Sequence, residues 1–411
     1  MNSAIADIDV STVPPLEVDM YGQEIKSDPS KWFLKWATQP PRFFNYSGHL
    51  TVFAARHDDV KRGLMDQECF SAVPVPGTGT DNTDYFNGLP IIVELDPPNH
   101  TRIRRLMQPA FTPRRVADAL GGINAVITHM VDQLEQRGTD IEVVNDIAYP
   151  FSTTILLGNF LALPQQDWMI FLRFSHALAL VSDLKEGDPK PKEYMDAYNA
   201  AYQYCSNLIE DRRRTHTDDL LGGIIAAHDV EAKITTEELF ATIMSLFAGG
   251  LGTIAGTTAL AMLRLGRNPD QMALLRQEPT LINSCIEEVL RIDCLGNFRH
   301  RWAKKDFEWE GLQIKKGTPI ALSLGAGNYD PQLYPNPEKF DIRRAPTDIS
   351  SFGYGIHFCI GQALARPAVR AAVLTLVQRF PKLRLADPNF EPVWGGMPTE
   401  RWPLSVPMAI K

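Results

Sequence analysis

A mainly α-helical fold with a minor β part, built as a single domain, is what the sequence predicts, and three observations carry that prediction. Long stretches between residues 99 and 292 repeat apolar residues at helical spacing. Residues 240–263 run 24 positions without a charge. That is long enough to span a bilayer, but four glycines, four threonines and a serine interrupt the stretch, so it reads as a helix buried in a large core. No Ser/Gly-rich or Pro-rich linker and no internal repeat divides the 411 residues. At 44% hydrophobic and 22% charged, the composition is that of a globular protein with a core large enough for a sizeable cofactor. The net charge of −8 argues against nucleic-acid binding. Five cysteines, an odd count with no C-x-x-C pair, point to a reducing compartment and away from sites built on paired cysteines. Residues 1–20 carry Asp7, Asp9, Glu17 and Asp19 and lack the pattern of a signal peptide. A cytoplasmic protein, monomeric and without a membrane anchor, is expected.

Taken in order, residues 1–27 read as a loose arm preceding a single domain over 28–411. Residues 49–55 read as a strand, and 58–65 follow as a short helix. Residues 73–93 are dense in Gly, Pro, Asn and Asp and read as a long loop. GTGT at 77–80 is too short for a phosphate loop. Helical patterns cover 99–110, 115–137, 141–161, 165–182 and 192–214. Thr235, Thr236 and Glu238 cap the long apolar helix over 237–266. Further helices are expected over 268–277 and 280–292, then short strands over 303–324 around Gly311 and Gly317. An irregular stretch runs over 325–358. A last helix opens at Cys359, bent by Pro367, and short strands finish the chain.

The most specific pattern is Phe352-Gly353-Tyr354-Gly355-Ile356-His357-Phe358-Cys359-Ile360-Gly361. Glycines allow a tight turn, and a cysteine at a helix N-terminus is stabilised as thiolate by free N–H groups and the helix dipole. One such cysteine suits a cofactor held by a single metal ligand, namely haem. The same residues alone also suit a structural cysteine in a Gly-rich turn. The pattern resembles the haem-binding loop of the cytochrome P450 family, F-G-x-G-x-H-x-C-x-G, at all its fixed positions, and the resemblance extends over most of the chain. It implies that family's fold, with haem b between the central helix and the Cys-loop helix, Cys359 as iron ligand, and Phe352, Gly353, His357 and Gly361 shaping the cofactor loop.

Other segments support the resemblance. Glu288 and Arg291, three apart on one helix, can pair, and they stand where the family has a structural ion pair. The family's third cation comes from P-x-R-F. Here Lys339 occupies that place in Pro337-Glu338-Lys339-Phe340, and Arg344 is a possible substitute. Asp96-Pro97-Pro98-Asn99-His100 begins a helix on which His100 and Arg104 share a face. The resemblance makes them haem-propionate partners, with Arg301 as the third; Arg299 and His300 are competing neighbours. Gly249-Gly250-Leu251-Gly252-Thr253 resembles the family's oxygen-binding element, most like the form in camphor-hydroxylating members. It implies Gly250 and Thr253 as catalytic positions, with Gly252 where the family has an acid.

The implied activity is monooxygenation of a small hydrophobic molecule with O2. The chain has no flavin, nicotinamide or iron–sulfur motif, so the resemblance implies electrons from a separate [2Fe-2S] ferredoxin and its reductase. Two alternatives stand beside it: a peroxide-driven or non-oxygenating enzyme of the same fold, favoured by Gly252, and a haem-binding sensor. Candidate pocket residues are Tyr85, Phe86, Leu89, the segment 178–181, Phe247, Leu251, Leu295, Asn297 and Met397, each alternatively plain core. Arg102, Arg105, Arg114, Arg115, Arg343, Arg344 and Arg366 form a possible docking patch for an acidic electron carrier, or a set of solvated arginines.

Overall fold

A computed structural model describes residues 8–78, 85–89, 91–181, 184, 188–215, 220–231 and 235–411. Residues 79–84 and 90 of the expected loop, and residue 182 at the end of an expected helix, lie outside the described residues. The contacts divide the chain into two compact units. One comprises Met1–Thr83, Glu287–Cys359 and Trp394–Trp402; the other comprises Asp84–Ile286, Ile360–Val393 and Pro403–Lys411. Neither unit is a contiguous stretch, so no linker in the sequence marks the division.

The first unit is organised on a five-stranded sheet ordered Arg42–Tyr46, His49–Ala54, Pro319–Ser323, Phe298–Ala303, Phe70–Ser71. His49–Ala54 and Pro319–Ser323 run parallel, with Val52 opposite Ile320; the other pairs are antiparallel. The central strand Pro319–Ser323 is buried along its whole length, as a strand covered on both faces must be. Helix His57–Met65 packs on this sheet through Val60 and Leu64, which join Val52, Ile320 and Leu322 in one core. Trp309 Nε1 donates to Asp59 of that helix at 3.1 Å.

Residues 8–27 are not a loose arm. Asp9 caps a turn over Val10–Thr12, and Gln23–Ser27 form a helix with Ile25 buried. Glu17 accepts from Trp36 Nε1 at 3.2 Å and pairs with Lys35 at 2.9 Å.

The second unit is helical and is arranged around Thr236–Arg267, with the capping box of Thr235 and Glu238 in place. The last helix, Gln362–Arg379, packs against it and against Ile123–Arg137. The most apolar window of the long helix is 67% buried, which is the burial of a core helix. Ile141–Glu142, Arg384–Leu385 and Pro407–Ala409 add a small antiparallel sheet.

Several boundaries differ from expectation, each for a local reason. The pattern 115–137 is two helices, Pro113–Gly121 and Ile123–Arg137, because the Gly121-Gly122 pair interrupts it. Residues 141–161 are a two-residue strand, then π-helix Val143–Ala148, α-helix Tyr149–Thr153 and π-helix Thr154–Phe160. Pro150 lacks the N–H an α-helical register needs there. Helix Leu220–Glu231 was not expected; Gly222 and Gly223 mask its pattern. The last helix begins at Gln362, with Gly361 as its N-cap, not at Cys359, and Pro367 sits inside it.

Candidate functional site

In the first unit the cysteine loop rests on a buried charge cluster. Glu288 and Arg291 have fully buried side chains and form a bidentate pair at 2.7 and 2.8 Å. Arg291 Nη1 also donates to the Asn328 carbonyl at 3.0 Å. The third cation is Arg344: its Nε donates to Glu288 Oε1 at 3.0 Å, and its Nη atoms reach the carbonyls of Pro335, Asn336 and Lys339. Lys339 contributes its backbone carbonyl, not its ammonium. From this cluster the order passes to the loop. Asn328 Oδ1 accepts from Ser350 N–H at 2.8 Å, and Asn328 Nδ2 donates to Ser351 Oγ at 2.9 Å. Ser351 in turn donates to Leu290 O at 2.5 Å, back on the Glu288 helix.

The loop turns at Gly353 and Gly355, with φ of 70° and 69°, the left-handed region that favours glycine. A Cβ at Gly355 would stand 2.8 Å from the Leu64 carbonyl, so this glycine also permits close approach to helix His57–Met65. Cys359 N–H donates to Phe352 O at 2.9 Å and closes the loop. Cys359 is exposed while the other four cysteines are buried. An accessible soft sulfur on this loop fits a single bond to a haem iron.

Arg301, buried at 7% exposure, lies on strand Phe298–Ala303 of the same unit. Neighbouring His300 takes a hydrogen bond at 2.7 Å with the Tyr21 hydroxyl. Burial, then the charges of Arg299 and Arg301, push its pKa down to about 4, so the ring is neutral. Leu295 and Asn297 are buried before this strand, and Met397 is half-buried in the turn after Trp394–Gly395.

The second unit carries the other candidates. His100 and Arg104 lie one turn apart on helix Asn99–Met107, with His100 buried. The long helix is buried along most of its length, yet Gly249 is exposed, and Gly250, Gly252 and Thr253 are half-buried. A Cβ at Gly249 would meet nothing within 4 Å. This open turn, in an otherwise packed helix, fits a flat group or its ligand approaching the backbone. Thr253 Oγ1 donates back to Gly249 O at 2.7 Å. Phe247 and Leu251 face the core: Phe247 stacks on Phe171 at 3.8 Å between centroids, and both residues are buried. Phe86 packs on Phe174, while Tyr85 and Leu89 are half-buried.

The arginine patch loses two members to structure. Arg102 forms a two-pronged pair with Glu238 of the long helix's capping box, and Arg344 belongs to the Glu288 cluster. Arg366 donates to Gln362 of its own helix. Sequence reasoning missed three joins: Arg102–Glu238, Tyr21–His300, and Ser152, whose hydroxyl donates to Leu251 O at 2.6 Å. Each links residues far apart in the chain and carries no motif.

Residues 41–391 match the family model for cytochrome P450. Nocardicin C N-oxygenase of Nocardia uniformis subsp. tsuyamanensis is 31% identical, covering 86% of this chain and 88% of its own length. Mycinamicin IV hydroxylase/epoxidase of Micromonospora griseorubida is 30% identical, covering 77% of this chain and 79% of its own. The solved structure of the polyketide synthase cytochrome P450 PksS of Bacillus subtilis 168 superposes with a TM-score of 0.84 at 26% identity, covering 96% of this chain and 100% of that one. A match of this length, with relatives at that identity over most of the chain, makes the protein a member of the cytochrome P450 family of haem-thiolate oxidoreductases.

Proposed function

We propose that the protein is a monooxygenase that inserts one oxygen atom of O2 into a hydrophobic biosynthetic intermediate. The balance is R–H plus O2, two electrons and two protons giving R–OH and water. The single observation that carries this reading is Cys359, exposed on a loop that its own N–H closes on Phe352 O. Haem b held there would supply the redox chemistry for O2 activation. In this reading Cys359 would hold the iron as a thiolate ligand, and Phe352, Gly353, His357 and Gly361 would shape its surroundings. His100, Arg104 and Arg301 hold the propionates, since buried carboxylates need cationic donors. Thr253 holds a proton at its hydroxyl, which can both donate and accept. Gly252, and the exposed backbone of Gly249 beside it, leave space for water to deliver protons. Tyr85, Phe86, Leu89, Leu295, Asn297 and Met397 are the pocket residues proposed. The substrate class draws on relatives whose names give them antibiotic intermediates, nocardicin C and mycinamicin IV. Electrons come from a separate ferredoxin and its reductase, and the working form is a cytoplasmic monomer.

The test is product formation from reconstituted ferredoxin, reductase and NADH. Cys359→His should lose the red-shifted Soret band of the ferrous–CO complex; its persistence overturns the ligand assignment. A second reading, peroxide-driven oxygenation, is favoured by Gly252, which removes the family's acid side chain. Product from peroxide alone, with none from the electron-transfer chain, would select it.

A further inference from the structure

Tyr354 stands between the two hinge glycines of the cysteine loop, and its side chain is tied to a charged cluster outside the loop. Its hydroxyl donates to Asp348 Oδ1 at 2.7 Å. Asp348 Oδ2 takes the Lys61 ammonium at 2.8 Å. Lys61 also lies over the Tyr354 ring, 5.1 Å from its centroid. His57 Nε2 lies 3.4 Å from both the Tyr354 hydroxyl and Asp348.

The base of this cluster is itself held. His57 and Lys61 are one turn apart on helix His57–Met65, so they present neighbouring groups to the same ring. His57 Nδ1 lies 3.3 Å from Gly327 O, and its backbone N–H donates to Asp330 at 3.3 Å. The same helix is fixed at its other side by Trp309 on Asp59. The backbone of Asp348 is fixed by the Tyr334 hydroxyl, which donates to its carbonyl at 2.7 Å. All of these residues lie in one compact unit.

The loop needs such an anchor. Gly353 and Gly355 both sit at positive φ, where glycine is unstrained in several conformations. The backbone bonds Gly353 N–H to Ser350 O, Phe358 N–H to Gly355 O and Cys359 N–H to Phe352 O close the loop on itself, and the Tyr354 side chain supplies its polar tie to Asp348 and helix His57–Met65. Gly355 adds only backbone contact, against Leu64 and Met65.

We infer that Tyr354 is a positioning residue for the cysteine loop: the Tyr354–Asp348–Lys61–His57 clamp fixes the segment that carries Cys359 and thereby keeps its sulfur in the geometry of a bound thiolate. The inference rests on the reading of Cys359 as axial ligand. It reaches further, because it assigns control of the ligand to His57 and Lys61 on a separate helix and to Asp348 outside the loop.

The experiment compares wild type, Tyr354→Phe, Asp348→Asn and their double variant as haem-loaded full-length protein. Two signals are read: amide hydrogen exchange of peptides spanning 352–359, and the rate at which the ferrous–CO complex converts from its long-wavelength to its short-wavelength Soret form. Losing one hydrogen bond to a charged group should accelerate both by about tenfold. Exchange in the strands 49–54 and 319–323 should stay at the wild-type rate, and the double variant should add little to either single one. Unchanged loop exchange and unchanged conversion in Tyr354→Phe overturn the clamp, as does equal acceleration everywhere in the unit, which marks general loosening. If Tyr354→Phe does not fold, Lys61→Met carries the test through the half-exposed side of the cluster, with the same expected and overturning results. A wild type without the red-shifted band refutes Cys359 as ligand, while the exchange arm still decides whether Tyr354 anchors the loop.

Discussion

Between Glu288 and Tyr354 the chain is joined by charges: a bidentate buried pair, Arg344 on the same carboxylate, and Lys61 on Asp348. Along residues 248–253 of the long helix no side chain is ionisable, and the joins are a back-bonded threonine and the Ser152 hydroxyl on Leu251 O. Both regions must be well defined, but for different ends. A loop that presents one sulfur has to resist movement, and charged hydrogen bonds fix direction as well as distance. On the proposed reading the helix turn has to leave room for a ligand, and glycines and short hydroxyls leave the backbone accessible. The charged region should therefore fail abruptly when a partner is removed, and the uncharged one should respond to volume.

Arg291→Ala is the largest break. It leaves the Glu288 carboxylate buried without its bidentate partner, a loss of about 3–5 kcal/mol. Chemical denaturation should show it, or the variant should fail to accumulate as folded protein. Arg344→Ala removes a more accessible partner of the same carboxylate, and its loss should be distinctly smaller. Equal losses would mean that the two arginines share the role and that Arg291 is not the principal partner.

On the uncharged side, Gly250 and Gly249 give opposite forecasts one residue apart. A Cβ at Gly250 would come within 2.7 Å of Leu156 Cδ2. Gly250→Ala should cost about 1–3 kcal/mol as overpacking, even though alanine is the better helix former. Leu156→Val should recover part of the loss in the double variant; strict additivity would show that the clash is not the cause. Gly249 has no neighbour for a Cβ within 4 Å. Gly249→Ala should stabilise the fold by up to about 1 kcal/mol, measured by denaturation of the ligand-free protein. Its cost should appear instead as weaker binding of ligands that use the open turn. Destabilisation by Gly249→Ala would mean that the turn is packed in solution.

How much of this was legible in the sequence follows the same division. The cysteine loop, the Glu288–Arg291 pair and the capped long helix are written in short spacings, because each depends on neighbours within a turn or two. The choice of Arg344 over Lys339 was open, because Lys339 turned its carbonyl to the cluster and only the fold reveals which group faces Glu288. The packed state of residues 8–27 was missed because Met20 and Ile25 are isolated apolar residues among charges and find their core only in three dimensions. Phe247 and Leu251 suit a pocket but are more often plain core, and periodicity cannot distinguish the two. Tyr354 was visible as a letter in the motif, but Asp348 and Lys61, which give it a role, lie in segments without pattern.

The smallest expected effect concerns the pH response of the clamp. Burial alone would raise the Asp348 carboxyl, but the Lys61 ammonium, the Tyr354 hydroxyl and His57 outweigh it and hold the pKa below the ordinary carboxylate range. A carboxyl lowered in the folded state contributes stability that is present above its unfolded pKa and is lost as pH falls through the folded one. The loss should therefore fall in the acid range, from the ordinary aspartate value downward, with the stabilisation fully present and independent of pH near neutrality. Asp348 is more than a third exposed, so water screens the gain and the effect is that of a surface pair. Asp348→Asn should flatten the acid limb of the melting temperature against pH relative to wild type, with the two curves parallel above the carboxylate range. Curves that diverge instead toward neutral or alkaline pH would show that Asp348 is not the titrating member of the clamp.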